Sequence, residues 1–158
     1  MFVLKSAAFD EGERIPAEFA NRGAHGGENL SLPLEWAYAP NGTESFALAM
    51  IDHHPVASEF VHWLVANIPG GLRGLKRGAS GTDQMPPEAL ELMTSYGSPG
   101  YGGPRPPAGT GDHPYETTLY ALSADKLDLD ERASFDAFLR ALEGKVLAKP
   151  SLTGYFSQ

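Results

Sequence analysis

The chain has 158 residues, 42% of them hydrophobic and 20% charged, with no cysteine and a formal net charge of -8. A chain of this length suits one domain, spanning 1-158, that hides roughly two thirds of its unfolded surface from water; the missing cysteine excludes disulfides, thiolate metal sites and a cysteine nucleophile. The twelve basic residues are scattered, which argues against a nucleic-acid surface, and nothing approaches the roughly 18 consecutive apolar residues of a membrane span.

At the N-terminus, Met-Phe-Val-Leu-Lys-Ser lacks the basic flank and long apolar core of a secretory leader, so the expected compartment is cytoplasmic. Phe2 to Ser6 predicts a short strand, and Glu11 to Pro16 the turn after it. Polar and glycine residues from Asn21 lead into Asn29–Trp36, where Pro33 suits a sheet edge or the first residue of a strand. Ser45 to Asp52 is apolar throughout and predicts a strand with Phe46, Leu48, Met50 and Asp52 on one face and Ala47, Ala49 and Ile51 on the other. Phe60 to Ile68 predicts a second buried strand, with His62 on the face of Phe60 and Leu64. The short link between the two strands predicts an antiparallel pair that makes Asp52 and His62 neighbours.

Pro69 to Pro114 is expected to be largely irregular, with a helical suggestion only at Pro86 to Met93, where proline stands at the start. So long an irregular stretch in a small domain is usually functional, and its tyrosines and fixed prolines are poor linker material. Tyr115 to Leu122 is β-branched and aromatic and predicts a strand. The spacing of Phe135, Phe138, Leu139 and Leu142 predicts a helix over Ala133 to Glu143, stopped at Gly144. Val146 to Phe156 reads as a last strand interrupted by Pro150. The fold class expected is mostly β, with one or two short helices.

The chemistry concentrates where loops meet strands. His53, His54, His62 and His113 lie at strand ends or beside the proline-rich loop, with Asp52 next to the first two. Singly, each has a plain structural role: a histidine among apolar neighbours is most often a hydrogen-bonded core residue, and an aspartate after a strand caps the turn. Together, imidazoles, the Tyr115 phenol and the N–H groups of the Gly109-Thr-Gly111-Asp-His113 turn would suit a small anion such as a phosphate head group, with a carboxylate fixing the histidine tautomers. No nucleophile elbow, phosphate loop or H-E-x-x-H occurs. Asp52 with three histidines as metal ligands, or Asp52 and His113 as acid and base of a hydrolase or isomerase, is the competing chemistry.

The sequence resembles the phosphatidylethanolamine-binding protein family, in its bacterial and archaeal, Raf-kinase-inhibitor-like branch. The likeness runs through S-L-P-L-E-W at Ser31, S-F-A-L-A-M-I-D at Ser45, H-W-L-V-A-N-I-P at His62, G-A-S-G at Gly78, Gly100 to Tyr115, and G-K-V-L-A-K-P-S-L-T-G from Gly144. The resemblance implies a PEBP-like fold, a large antiparallel sheet packed on a smaller one, with a small anion pocket at one end. It carries the pocket aspartate onto Asp52, the pocket histidines onto His62 and His113, the proline onto Pro107 and the tyrosine onto Tyr115. Two departures stand out. Asp52-His-His-Pro55 replaces the usual D-P-D-x-P, so that His54 stands in for a second aspartate, and Arg105 replaces a common cysteine or glycine. Arg105, His62 and His113 are therefore expected to hold the anion, without a metal or cofactor. The resemblance also implies ligand capture in place of turnover, protein partners of the kinase or protease kind among relatives, and homodimers within this branch.

Overall fold

A computed structural model describes residues Met1–Gln158. In chain order the strands are β1 (Val3–Lys5), β2 (Leu34–Ala37), β3 (Ser45–Asp52), β4 (Phe60–Pro69), β5 (Gly74–Leu75), β6 (Leu90–Glu91), β7 (His113–Leu122), β8 (Val146–Ala148) and β9 (Ser151–Phe156). One helix, α1 (Phe135–Leu142), precedes the last two strands, and a single 3-10 turn covers Ala17–Phe19. β1, β2 and β5 form a small antiparallel sheet. A larger antiparallel sheet runs β6-β4-β3-β7-β8, with β9 also on β7. The fold expected from the resemblance is the fold observed.

β3 explains the layering. All eight of its residues are buried, as its unbroken apolar run requires, and their alternation feeds two cores. Phe46, Leu48 and Met50 pack with Leu4, Trp36 and Leu75 of the small sheet. Ala47, Ala49 and Ile51 face the opposite way, onto Phe138 and Leu142 of α1. The two alanines leave room for a helix to lie close against the sheet. α1 begins where Ser134 accepts a hydrogen bond from the Ala137 N–H at 3.1 Å, and Gly144 just past its end takes φ of 75°. Leu139, expected on the buried face, is 38% exposed at its margin.

Two local expectations are corrected. Pro86 to Met93 is not helical: Leu90–Glu91 is an edge strand on Val65 and Ala66 of β4. Eight residues with a weak apolar stripe cannot offset helix nucleation, whereas the Glu91 carboxylate, on the extended backbone, accepts from Trp63 Nε1 at 2.8 Å, the Gly81 N–H at 2.9 Å and the Ser80 hydroxyl. The chain from Val146 to Phe156 is two strands, with Pro150 between them, each on its own half of β7. Apart from β5 and β6, residues 70 to 112 are irregular, yet Tyr101 to Pro104 are buried.

Candidate anion site at one end of the large sheet

β3 and β7 pair so that Asp52 lies opposite Tyr115, which brings the last residue of one strand beside the start of the other. β4 supplies the third wall through an irregularity: Met50 pairs with Trp63 but Ile51 with Val61, so His62 is the extra residue of a β-bulge. The bulge breaks the strict alternation assumed for this strand. Leu64 belongs to the helix-side core, whereas the His62 ring packs against Phe60, Tyr96 and Tyr115, at centroid distances of 4.9, 5.6 and 5.0 Å.

The fourth wall is the proline-rich loop, and of the glycines expected to offer an N–H to a ligand, Gly109 donates instead to the Gln158 carbonyl at 3.0 Å. The Gly102 N–H donates to the His62 carbonyl at 2.9 Å and the Gly103 N–H to Asn29 Oδ1 at 2.7 Å, so neither faces a ligand. These two glycines permit close approach instead. A Cβ on Gly102 would stand 2.3 Å from the Tyr96 ring, and one on Gly103 would stand 2.2 Å from the Phe19 carbonyl oxygen. The same packing throws Arg105 outward, with its guanidinium lying over Gly23.

These walls enclose a cavity of about 230 Å³ lined by Asp52, Phe60, His62, Tyr96, Arg105, Pro106, Pro107, His113 and Tyr115, with Val56 and Ala57 from the β3–β4 link. It is smaller than the roughly 300–1,000 Å³ typical of drug-sized ligands, which leaves room for a small molecule only. Six of the seven residues expected at the site line it. The seventh, His54, does not: it stacks flat on His113 at 3.8 Å, and its Nδ1 accepts from the Val56 N–H at 3.1 Å.

Asp52 combines the two roles that its position suggested. Oδ1 accepts from the His54 N–H at 2.8 Å, a turn cap, and Oδ2 accepts from His113 Nδ1 at 2.7 Å. On its far side, His113 Nε2 lies 2.7 Å from Thr110 Oγ1, which itself donates to the Pro107 carbonyl at 2.7 Å. Both ring nitrogens of His113 are thus engaged within the protein. Thr110 was missed in the sequence; its place three residues before His113, inside a glycine turn, was the available signal.

His62 differs. Its Nδ1 donates to the Gly102 carbonyl at 2.6 Å, since a carbonyl only accepts. Burial lowers its pKa to about 4, against the smaller opposing effects of the Gly102 hydrogen bond and the Asp52 charge, so the ring is neutral at ordinary pH. Its Nε2, then a bare lone pair, has no hydrogen bond within the protein. Two further groups lack protein partners. The Tyr115 hydroxyl is buried and makes no hydrogen bond of ordinary length, though the Asp52 carboxylate lies close by, and burial, then the Asp52 charge, pushes its pKa far up. Arg105 makes no ion pair. The Tyr96 hydroxyl donates to Gly103 O at 2.7 Å, and burial raises its pKa to about 12 in spite of nearby Arg105. No three His, Asp or Glu side chains converge as metal ligands would.

Comparison with known proteins agrees with this geometry. The family model described as phosphatidylethanolamine-binding protein matches residues 5–157. A UPF0098 protein of Methanothermobacter thermautotrophicus is 35% identical over 153 residues, covering 97% of each chain. The crystal structure of Escherichia coli YbcL, described as a new member of the mammalian PEBP family, superposes with a TM-score of 0.93 at 28% identity, over 99% of this chain and 98% of that one. A putative lipoprotein, LppC, of Mycobacterium tuberculosis is 38% identical over 76% of this chain and 55% of its own length. No helix here is long and apolar enough to cross a membrane, and with a lipoprotein among the relatives, the compartment does not follow from the fold.

Proposed function

The chain belongs to the phosphatidylethanolamine-binding protein family, and on that premise we propose that it captures a small anion, of the phosphate or phospho-head-group kind, at the end of its large sheet without turning it over. The observation that carries this reading is the pair of polar side chains without an ordinary protein partner along one small cavity: Arg105, whose exposed chain lines it and whose guanidinium lies over Gly23 without a counter-ion, and Tyr115, whose hydroxyl is buried. Both invite an acceptor carrying negative charge. Phe60, Tyr96 and the two prolines give the cavity apolar sides, which lowers the local polarity around a charged contact.

Capture is favoured over acid–base turnover by the state of His113. A general acid or base needs a nitrogen free to meet the substrate, and both of its nitrogens are held, by Asp52 and by Thr110. Asp52 and His113 are accordingly the frame of the site, and Arg105, Tyr115 and His62 are its contact groups. Bound in this way, a phospho-group would let the protein work as a regulatory module.

Calorimetric titration of the wild type and Arg105→Ala with inorganic phosphate tests the reading. Removal of a hydrogen bond to a charged group is worth about 1.5–3 kcal/mol, so Arg105→Ala should bind roughly 10- to 150-fold more weakly. Equal affinities would remove Arg105 from the site. Release of inorganic phosphate from a panel of phosphoesters would replace capture with catalysis.

A further inference from the structure

The contact groups of the cavity are not all donors. His62 spends its one N–H on the Gly102 carbonyl at 2.6 Å, and the ring is held in that orientation by Phe60, Tyr96 and Tyr115 around it. What it offers the cavity is the lone pair on Nε2. An occupant made only of acceptor atoms would set its own lone pairs against that nitrogen and displace the water that can otherwise reach it, on a ring that is itself 3% exposed. Arg105 and the Tyr115 hydroxyl, meanwhile, ask for a negative acceptor. The two demands are met together by a single molecule that carries both kinds of group.

Resting on the anion-binding reading above, we infer that His62 makes the site selective for an oxyanion that brings its own hydrogen-bond donor, such as hydrogen phosphate, over one that has none, such as sulfate. Hydrogen phosphate keeps one O–H for His62 Nε2 and three oxygens for Arg105 and Tyr115. Sulfate has the same shape and, at mildly alkaline pH, the same charge, but nothing to donate. A phosphodiester resembles sulfate in this respect unless the alcohol it carries supplies an N–H, as the ammonium of an ethanolamine head group does. His62 is thus a specificity-determining residue, and its contribution is an acceptor.

The test is calorimetric titration of the full chain with potassium phosphate and potassium sulfate at pH about 8, where both anions are essentially dianionic. An unmet buried acceptor costs enough to make the expected preference for phosphate roughly 5- to 150-fold. Equal affinity for the two overturns the inference while leaving anion binding intact, and failure of both to bind overturns anion binding itself. His62→Gln can turn its amide to donate or accept, so the phosphate-to-sulfate ratio should fall toward one. Arg105→Ala should weaken both anions and preserve the ratio. Should His62→Gln fail to fold, the wild-type ratio together with that of Arg105→Ala decides the matter. Two diesters that differ in the amine identify the source of the donor: methyl 2-aminoethyl phosphate binding better than dimethyl phosphate assigns it to a head-group amine, and equal binding of the two assigns it to free hydrogen phosphate.

Discussion

Replacing Asp52 separates what its carboxylate holds from what its charge does. The side chain is 3% exposed and accepts two hydrogen bonds, from the His54 N–H at 2.8 Å and from His113 Nδ1 at 2.7 Å. Asp52→Ala leaves the buried His113 N–H unmet and the half-buried His54 N–H without its protein partner. At about 1–3 kcal/mol for each orphaned group, with the His113 bond toward the upper end because it is charge-assisted, the loss is about 3–5 kcal/mol. Asp52→Asn keeps an oxygen for His54 and turns an amide N–H toward His113. The histidine can meet it by accepting at Nδ1 and donating from Nε2 to Thr110, whose hydroxyl stays on the Pro107 carbonyl. The asparagine variant should therefore lose only about 1 kcal/mol. In urea unfolding, with a slope of about 2 kcal/mol/M, the midpoint would fall by about 1.5–2.5 M for alanine and about 0.5 M for asparagine. Equal losses for the two variants would refute the reasoning, because they would mean that the charge, and not the unmet donors, dominates.

Burial holds His62 neutral in the folded protein, with its pKa lowered from 6.5 to about 4 despite nearby Asp52, while the unfolded chain protonates near 6.5. The unfolded state therefore binds more protons between those values, and stability should fall as pH drops from about 6.5 to about 4, by roughly 3 kcal/mol at most; urea midpoints measured across that range should show a shallower slope in His62→Gln, and an unchanged slope would assign the effect elsewhere. Gly103→Ala should cost about 1–3 kcal/mol, because the added carbon meets the backbone oxygen of Phe19 at 2.2 Å and backbone does not yield; a melting temperature equal to that of the wild type would show that the loop can shift.

Much of the site was legible because its residues sit where a pattern breaks. Asp52 ends an apolar face, and His113 and Tyr115 follow a run of glycine and proline; both positions draw attention without coordinates. The roles were harder to read. Period-two alternation placed His62 beside Leu64, and only the pairing of Met50 with Trp63 and of Ile51 with Val61 reveals the bulge that turns it toward the cavity. The glycines of the Gly109–His113 turn looked like amide donors to a ligand, yet a residue's hydrogen-bond partner is a long-range fact: the Gly109 amide is taken by the Gln158 carbonyl, forty-nine positions away. The tautomer of His62 depends in the same way on a carbonyl from a distant loop. The helix suggested at Pro86 failed because the edge of the sheet, invisible locally, had claims on Glu91.

β3 divides the interior. Its odd-numbered residues serve the layer beneath the helix, and its even-numbered ones serve the layer that ends in the cavity. Changes beneath α1 can thus retune thermal resilience while the chemical preferences of the pocket stay fixed, and the pocket can drift toward a new ligand without disturbing the helix. A lineage built on this plan has two dials on opposite sides of one wall, and can turn either one alone.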